Sequence, residues 1–301
     1  MTRVICSAFM TDLLSGCLKE VLTYIHKDNT LDLEIRENFV NVYYRGGNIL
    51  RIIETRVNAY KYEFDRNYLS ASVSSISPPT SKTNWDLYFP KMKQIMDFYF
   101  SIHRKEEREY QQLVVRENNY SSIANGTDYF IIDIEYDNHA NSRFDIVAVE
   151  WPSKPSHRKL SKGFKPRLVV IEMKYGDHAL SGTAGMHKHW TDFNLFISNR
   201  VAVNAFKKEM LDMFSQKRKL GLIPCLADSK NSNPLTQFDD PIDLAFLIAD
   251  HDSASKKLKS ELSACGNIPA KFITSNFMGY GIYNESIFNM HEFLERHTYQ
   301  F

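Results

Sequence analysis

The stretch RLVVIEMKY, residues 167–175, constrains this chain more than any other. Leu168 to Ile171 form an apolar run suited to a buried central strand. Glu172 and Lys174 follow at once, and because side chains alternate across a strand the two share one face. A carboxylate and an ammonium at the end of such a run are costly unless they pair or bind something. The preceding apolar segment, RFDIVAVEW (143–151), carries a charge of its own, Asp145, inside the run. Neighbouring strands of one sheet would bring Asp145 within reach of Glu172.

The surrounding order gives these strands a setting. Helical spacing runs from about Phe89 to Asn118, and Asn125-Gly126 marks a turn. YFIIDIEY (129–136) and 143–151 read as strands joined by a short connection. A basic loop, PSKPSHRKLSKGFKP, leads to 167–175. Helical spacing resumes after the glycines of 176–185 and continues to about Leu220 with a break near Asn199. A strand at 242–250, a short helix at 254–264, a strand near KFITSNF and a C-terminal helix near 286–297 complete the chain. Antiparallel strands followed by a crossover helix predict an α/β protein, a mixed central sheet flanked by helices in the order α-β-β-β-α-β. Upstream, residues 4–26 have helical spacing, and ENFVNVYYRGGNILRI (37–52) predicts a β-hairpin turning at Arg45-Gly46-Gly47-Asn48. Residues 70–84, rich in Ser, Thr and Pro, predict a linker or long loop. The expected division is therefore an N-terminal helix-plus-hairpin extension, 1–85, and a core with C-terminal elements, 86–301.

Two carboxylates beside one lysine suit phosphodiester hydrolysis. Asp145 and Glu172 would hold Mg²⁺ or Mn²⁺, hard cations that take oxygen ligands and keep several waters. The cation polarises the phosphate and acidifies a bound water, and Lys174 orients that water or stabilises charge at phosphorus.

Asp145, then Glu172-Met173-Lys174 on the next strand, within the α-β-β-β-α-β order, resembles the PD-(D/E)XK, or restriction-endonuclease-like, nuclease superfamily over about residues 90–250. The resemblance implies that Asp145 is the first acid, Glu172 the second and Lys174 the catalytic lysine of a metal-dependent endonuclease or exonuclease, with DNA the expected nucleic acid. Members often add an acid from the helix before the sheet. Glu109 in EREYQQLVVREN is the candidate here, with Gln112 second. The chain as a whole is similar to bacterial proteins with this kind of core. It departs from the pattern at Phe144, where the family name has proline. It departs again at GMHKHWTDFNLF, where exonuclease-like members carry Gln and Tyr four apart. The rival within the same fold is a catalytically inactive protein that binds nucleic acid or another protein; a hydrolase of small phosphate esters is the third reading.

Other residues divide between a functional and a plain reading. Lys154, Arg158, Lys159 and Lys162 of the basic loop, with Lys188, are candidate backbone-phosphate contacts; a solubilising hairpin is the alternative. His178, His187 and His189 do not form a zinc pattern, since His187 and His189 fall on different helix faces. They read as near-site phosphate contacts or surface residues. Asp133 and Glu135 share a strand face, expected on the opposite or edge side. Tyr43, Tyr44, Tyr60, Tyr62 and Tyr68 are expected to pack rather than stack bases. With 37 basic and 36 acidic residues, net charge +1, the chain is no polybasic binder. Its four cysteines form no Cys-x-x-Cys pair, Asp12 interrupts the only apolar N-terminal run, and no apolar stretch spans a bilayer. These features predict a reduced, cytoplasmic protein without a membrane anchor, compatible with a homodimer.

Overall fold

The structure, a computed structural model, describes residues 3–69, 77–137, 143–158, 164–182, 185–226, 235–252, 255–266, 268–275 and 279–297. It is a mixed α/β protein with two sheets. The chain divides into two units, Met1–Arg116 with Asp212–Asp228 and Glu117–Leu211 with Ser229–Phe301. The boundary lies at 116/117 rather than the expected 85/86, and the first unit is completed by a later segment.

The first unit opens with α1 (Ser7–Leu14) and α2 (Lys19–Lys27). An antiparallel sheet follows in simple order: β1 (Leu31–Ile35), β2 (Phe39–Tyr44), β3 (Gly47–Arg56) and β4 (Ala59–Glu63). The expected hairpin is β2–β3. Its two turn residues, Arg45 and Gly46, have φ of 48° and 71°, the left-handed pair of a two-residue hairpin loop. The turn is tightly covered: a Cβ on Gly46 would stand 2.4 Å from the Arg108 carbonyl carbon. β1 and β4 extend this hairpin into a meander that sequence alone did not reveal. In β1, LDLEI, the acids alternate with apolar residues as on a solvated edge, yet all five residues are buried. Glu34 can be buried because the Lys217 ammonium lies 2.6 Å from its Oε1, both side chains having no exposure.

The single helix expected over 89–118 is two helices, α3 (Trp85–Ile102) and α4 (Glu106–Val115), followed by a π turn at Arg116–Tyr120. Trp85, Tyr88, Phe89, Met92, Met96 and Phe100 make up the buried stripe of α3. Gln112 on α4 is a structural clasp. Its Oε1 accepts from the Gly46 N–H at 2.7 Å, and its Nε2 donates to the Thr30 and Tyr43 carbonyls at 3.0 Å each.

The second unit contains β5 (Tyr129–Asp137), β6 (Arg143–Glu150), the short α5 (Pro155–Arg158), β7 (Arg167–Tyr175), α6 (Met186–Ser198), the start of α7 (Arg200–Lys219), β8 (Asp239–Ala249), α8 (Lys256–Cys265), β9 (Lys271–Ser275), β10 (Ile287–Phe288) and α9 (Met290–His297). Its sheet runs β10-β9-β8-β7-β6-β5. β5, β6 and β7 pair antiparallel, β7, β8 and β9 pair parallel, and β10 is antiparallel to β9. The sheet is thus mixed, as expected, and the helical break near Asn199 is where α6 gives way to α7. β7 is central, and Leu168 to Lys174 are all buried, the signature of a strand covered on both faces.

Two asparagines of the π turn replace missing ladder bonds. Asn119 Nδ2 donates to the Ile131 carbonyl and its Oδ1 accepts from the Ile131 N–H, each at 2.9 Å. Asn118 treats the Tyr280 carbonyl and Ile282 N–H the same way, also at 2.9 Å. Both side chains are buried. Asn119→Ala leaves a donor and an acceptor unmet, so the unfolding free energy is expected to fall by about 3 kcal/mol. Urea titration checks this; a change below about 0.5 kcal/mol would mean that water takes over both groups.

Candidate active site

Asp145, Glu172 and Lys174 all lie in the second unit on the paired strands β6 and β7. Ile146 stands opposite Ile171, the last pair of the ladder at this end, and Asp145 and Glu172 each lie one residue beyond it. Backbone pairing stops there. The Asp145 carboxylate takes over, its Oδ2 accepting from the Met173 N–H at 2.9 Å. The backbone ladder therefore ends where the two acids lie. Phe144 anchors this end of β6: its ring packs edge-on against Phe196 at 5.2 Å and Phe206 at 6.1 Å.

The three charged groups are deeply set, with Asp145 8%, Glu172 2% and Lys174 3% exposed. Among the described residues Lys174 has no hydrogen bond and no ion pair, although its charge is felt at His189. A buried ammonium without a counter-ion is a standing cost that an anionic ligand would remove.

Sequence reasoning undervalued His189. It sits in the first turn of α6, after the Gly185 cap, and its Nδ1 comes 2.8 Å from Glu172 Oε2. The approach is close, but the ring N–H is not directed along it. Burial, and secondarily the Lys174 charge, hold the His189 pKa well below its usual range, with Asp145 acting the other way. The available signal was a histidine in the crossover helix directly downstream of Glu-x-Lys. His187 is exposed on the same helix, and the His178 side chain lies outside those described.

The remaining candidates are placed as follows. Glu109 belongs to the first unit, where its Oε1 is 2.8 Å from Arg45 Nε while Asp97 takes Arg45 NH1 at 2.9 Å; the carboxylate clamps the hairpin turn. Arg158 donates to the Thr127 carbonyl, and its guanidinium lies 4.3 Å from the centre of the Phe130 ring, so it is held by its own unit. Lys154 is exposed, and Lys188 is exposed and ion-paired with Asp192 one turn on. Lys159 and Lys162 lie outside the described residues. Asp133 and Glu135 lie in one continuous stretch of the β5–β6 register, and a φ of 55° at Glu135 interrupts the extended backbone there. Arg143 NH1 pairs with Glu135 at 2.9 Å, and β5 is the outer strand of the sheet among the described residues. The five tyrosines pack as expected: Tyr44 bonds Asp97, Tyr60 bonds Asp12, Tyr43 accepts from Asn41, Tyr62 meets Trp85, and Tyr68 meets Tyr99.

Among the described residues no group of three or more His, Cys, Asp or Glu side chains is gathered to hold a metal. The donor set at β6–β7 is a pair of carboxylates, which fits a cation that keeps most of its water, such as Mg²⁺, and not a structural zinc. No described helix is long and apolar enough to cross a membrane. No protein-family model, curated protein or solved structure matches the chain.

Proposed function

We propose that the second unit is a restriction-endonuclease-like core and that Asp145, Glu172 and Lys174 form a metal-dependent site for phosphodiester hydrolysis, with DNA the expected substrate. The observation that carries this reading is the buried Lys174 ammonium, which among the described residues forms no hydrogen bond or ion pair, two residues from Glu172 on the strand that pairs with that of Asp145. That arrangement is complementary to a phosphate and a divalent cation arriving together.

Asp145 and Glu172 would hold Mg²⁺ or Mn²⁺, which when bound supplies a polarised phosphate and an acidified water. Asp145 contributes from the gap where backbone pairing has ended, and its bond to the Met173 N–H fixes its orientation. Glu172, on the central strand, has little room to move. Lys174, on the same face two residues on, would meet the non-bridging oxygens as charge accumulates on them. Lys154 and Lys188, being exposed, remain candidates for flanking phosphates, and Lys159 and Lys162 with them; Arg158 is already committed. Reducing, cytoplasmic surroundings fit four cysteines that form no disulfide.

The test is incubation of the purified protein with plasmid, linear and single-stranded DNA and with RNA, with and without Mg²⁺. Metal-dependent cleavage is expected. Asp145→Ala should lose cation binding and cleavage together, since it removes a ligand. Calorimetric titration with Mn²⁺ beside the cleavage assay checks this, and unchanged Mn²⁺ binding in the variant would remove Asp145 from the ligand set. Nucleic-acid binding without cleavage under any metal would favour the inactive member of the fold.

A further inference from the structure

Helix α3 carries apolar residues on two opposite faces. Its buried stripe packs against α2 and β3. At about 100° per residue, Leu87, Phe98 and Ile102 fall on the other side, and they are 71%, 61% and 66% exposed. Lys91 and Gln94, both exposed, lie between Leu87 and Phe98 on that side. A helix that buries one stripe normally shows polar residues opposite it. Three large apolar residues aligned there instead form a ridge about 22 Å long, the mark of an interaction surface. The ridge ends in opposite charges. Asp86, exposed, stands at its start. Arg104 stands two residues past its end with its side chain 76% exposed, and among the described residues its ion pair is the local one to Glu106.

We propose that a second copy of this chain covers this ridge, the two α3 helices packing antiparallel about a two-fold axis near Gln94. The ridge is complementary to itself when reversed. Leu87 of one copy then meets Ile102 of the other, Phe98 lies along the Lys91 side chain, and Asp86 faces Arg104. Two-fold symmetry makes each of these contacts twice. A parallel pairing would instead set Asp86 against Asp86 and Arg104 against Arg104, so charge complementarity selects the antiparallel arrangement. The pairing involves the first unit alone and is independent of the chemistry at β6–β7.

The test is sedimentation equilibrium of the full chain. The parent is expected to be a dimer at about 50 μM. Leu87→Glu combined with Phe98→Glu, two exposed positions, should weaken the dimer by about 100-fold or more. Asp86→Arg should weaken it by about five-fold, and adding Arg104→Asp should restore the parent affinity, because the reversed pair forms again across the axis. In a separate variant, Gln94→Cys should form a 94–94 disulfide between copies under mild oxidation, located by mass spectrometry. That variant decides the point even if the double glutamate variant folds poorly. A parent that stays monomeric at about 200 μM overturns the proposal. So does a dimer that the two glutamates leave intact, or one in which Gln94→Cys forms no 94–94 bond. Failure of the reversed charges to restore affinity overturns the antiparallel pairing.

Discussion

Lys174→Ala is expected to cut more slowly than the parent by on the order of 100-fold or more, the usual loss for one preorganised donor to a developing oxyanion. Mn²⁺ affinity should stay within a few-fold, because an ammonium is not a ligand. The same substitution should raise the thermal midpoint by about a few degrees. Lys174 is 3% exposed and among the described residues forms no ion pair, so its removal relieves a desolvation cost, offset in part by the cavity left by its stem. The pattern of activity lost, metal retained and stability gained separates a catalytic ammonium from a structural one. Cleavage at the parent rate would dismiss the proposed chemistry while leaving the fold untouched. A fall in stability of about 2 kcal/mol or more would instead show the ammonium to be a structural support.

Lys217→Met should be the most damaging substitution in the first unit. Lys217 and Glu34 meet at 2.6 Å with neither side chain exposed. Taking away one partner strands a carboxylate, at a typical cost of about 3–5 kcal/mol. Arg36 NH1, 3.8 Å from Glu34 Oε2, compensates in part, so about 3 kcal/mol is expected. Glu34→Leu combined with Lys217→Met, which removes both charges, should recover most of the loss. Urea unfolding of the parent, the single variants and the double variant gives the coupling energy directly. A Lys217→Met protein within about 0.5 kcal/mol of the parent would mean that the pair is not formed in solution.

How much of this was legible in the sequence depended on how local the cause was. The strands carrying Asp145 and Glu172, the turn at Arg45-Gly46 and the break at Asn199 each follow from residues within a few positions, and all were readable. β1 was not. Its alternating acids look like a solvated edge until Lys217 is known to reach Glu34 across 183 residues. Glu109 had the right residue type in the right helix, but its surroundings are set by Arg45, on a turn 64 residues earlier. His189 was undervalued for a different reason. Its nearness to Glu172 depends on the residue at which α6 begins after Gly185, and a shift of one residue would turn the ring by about 100°.

The segment Asp212–Asp228 has a consequence for the order in which the molecule can be made. It brings Lys217 to Glu34, and it brings Gln216 to both backbone groups of Ile5, at 3.1 and 2.7 Å. Chains on the ribosome usually complete their N-terminal portion first. Here the N-terminal sheet must wait for the Lys217 partner of its buried Glu34 until everything through Leu211 has been translated. A chain arrested or clipped before residue 212 would fail first at its oldest end. Damage inflicted near the C-terminal third would appear as instability in the first hundred residues.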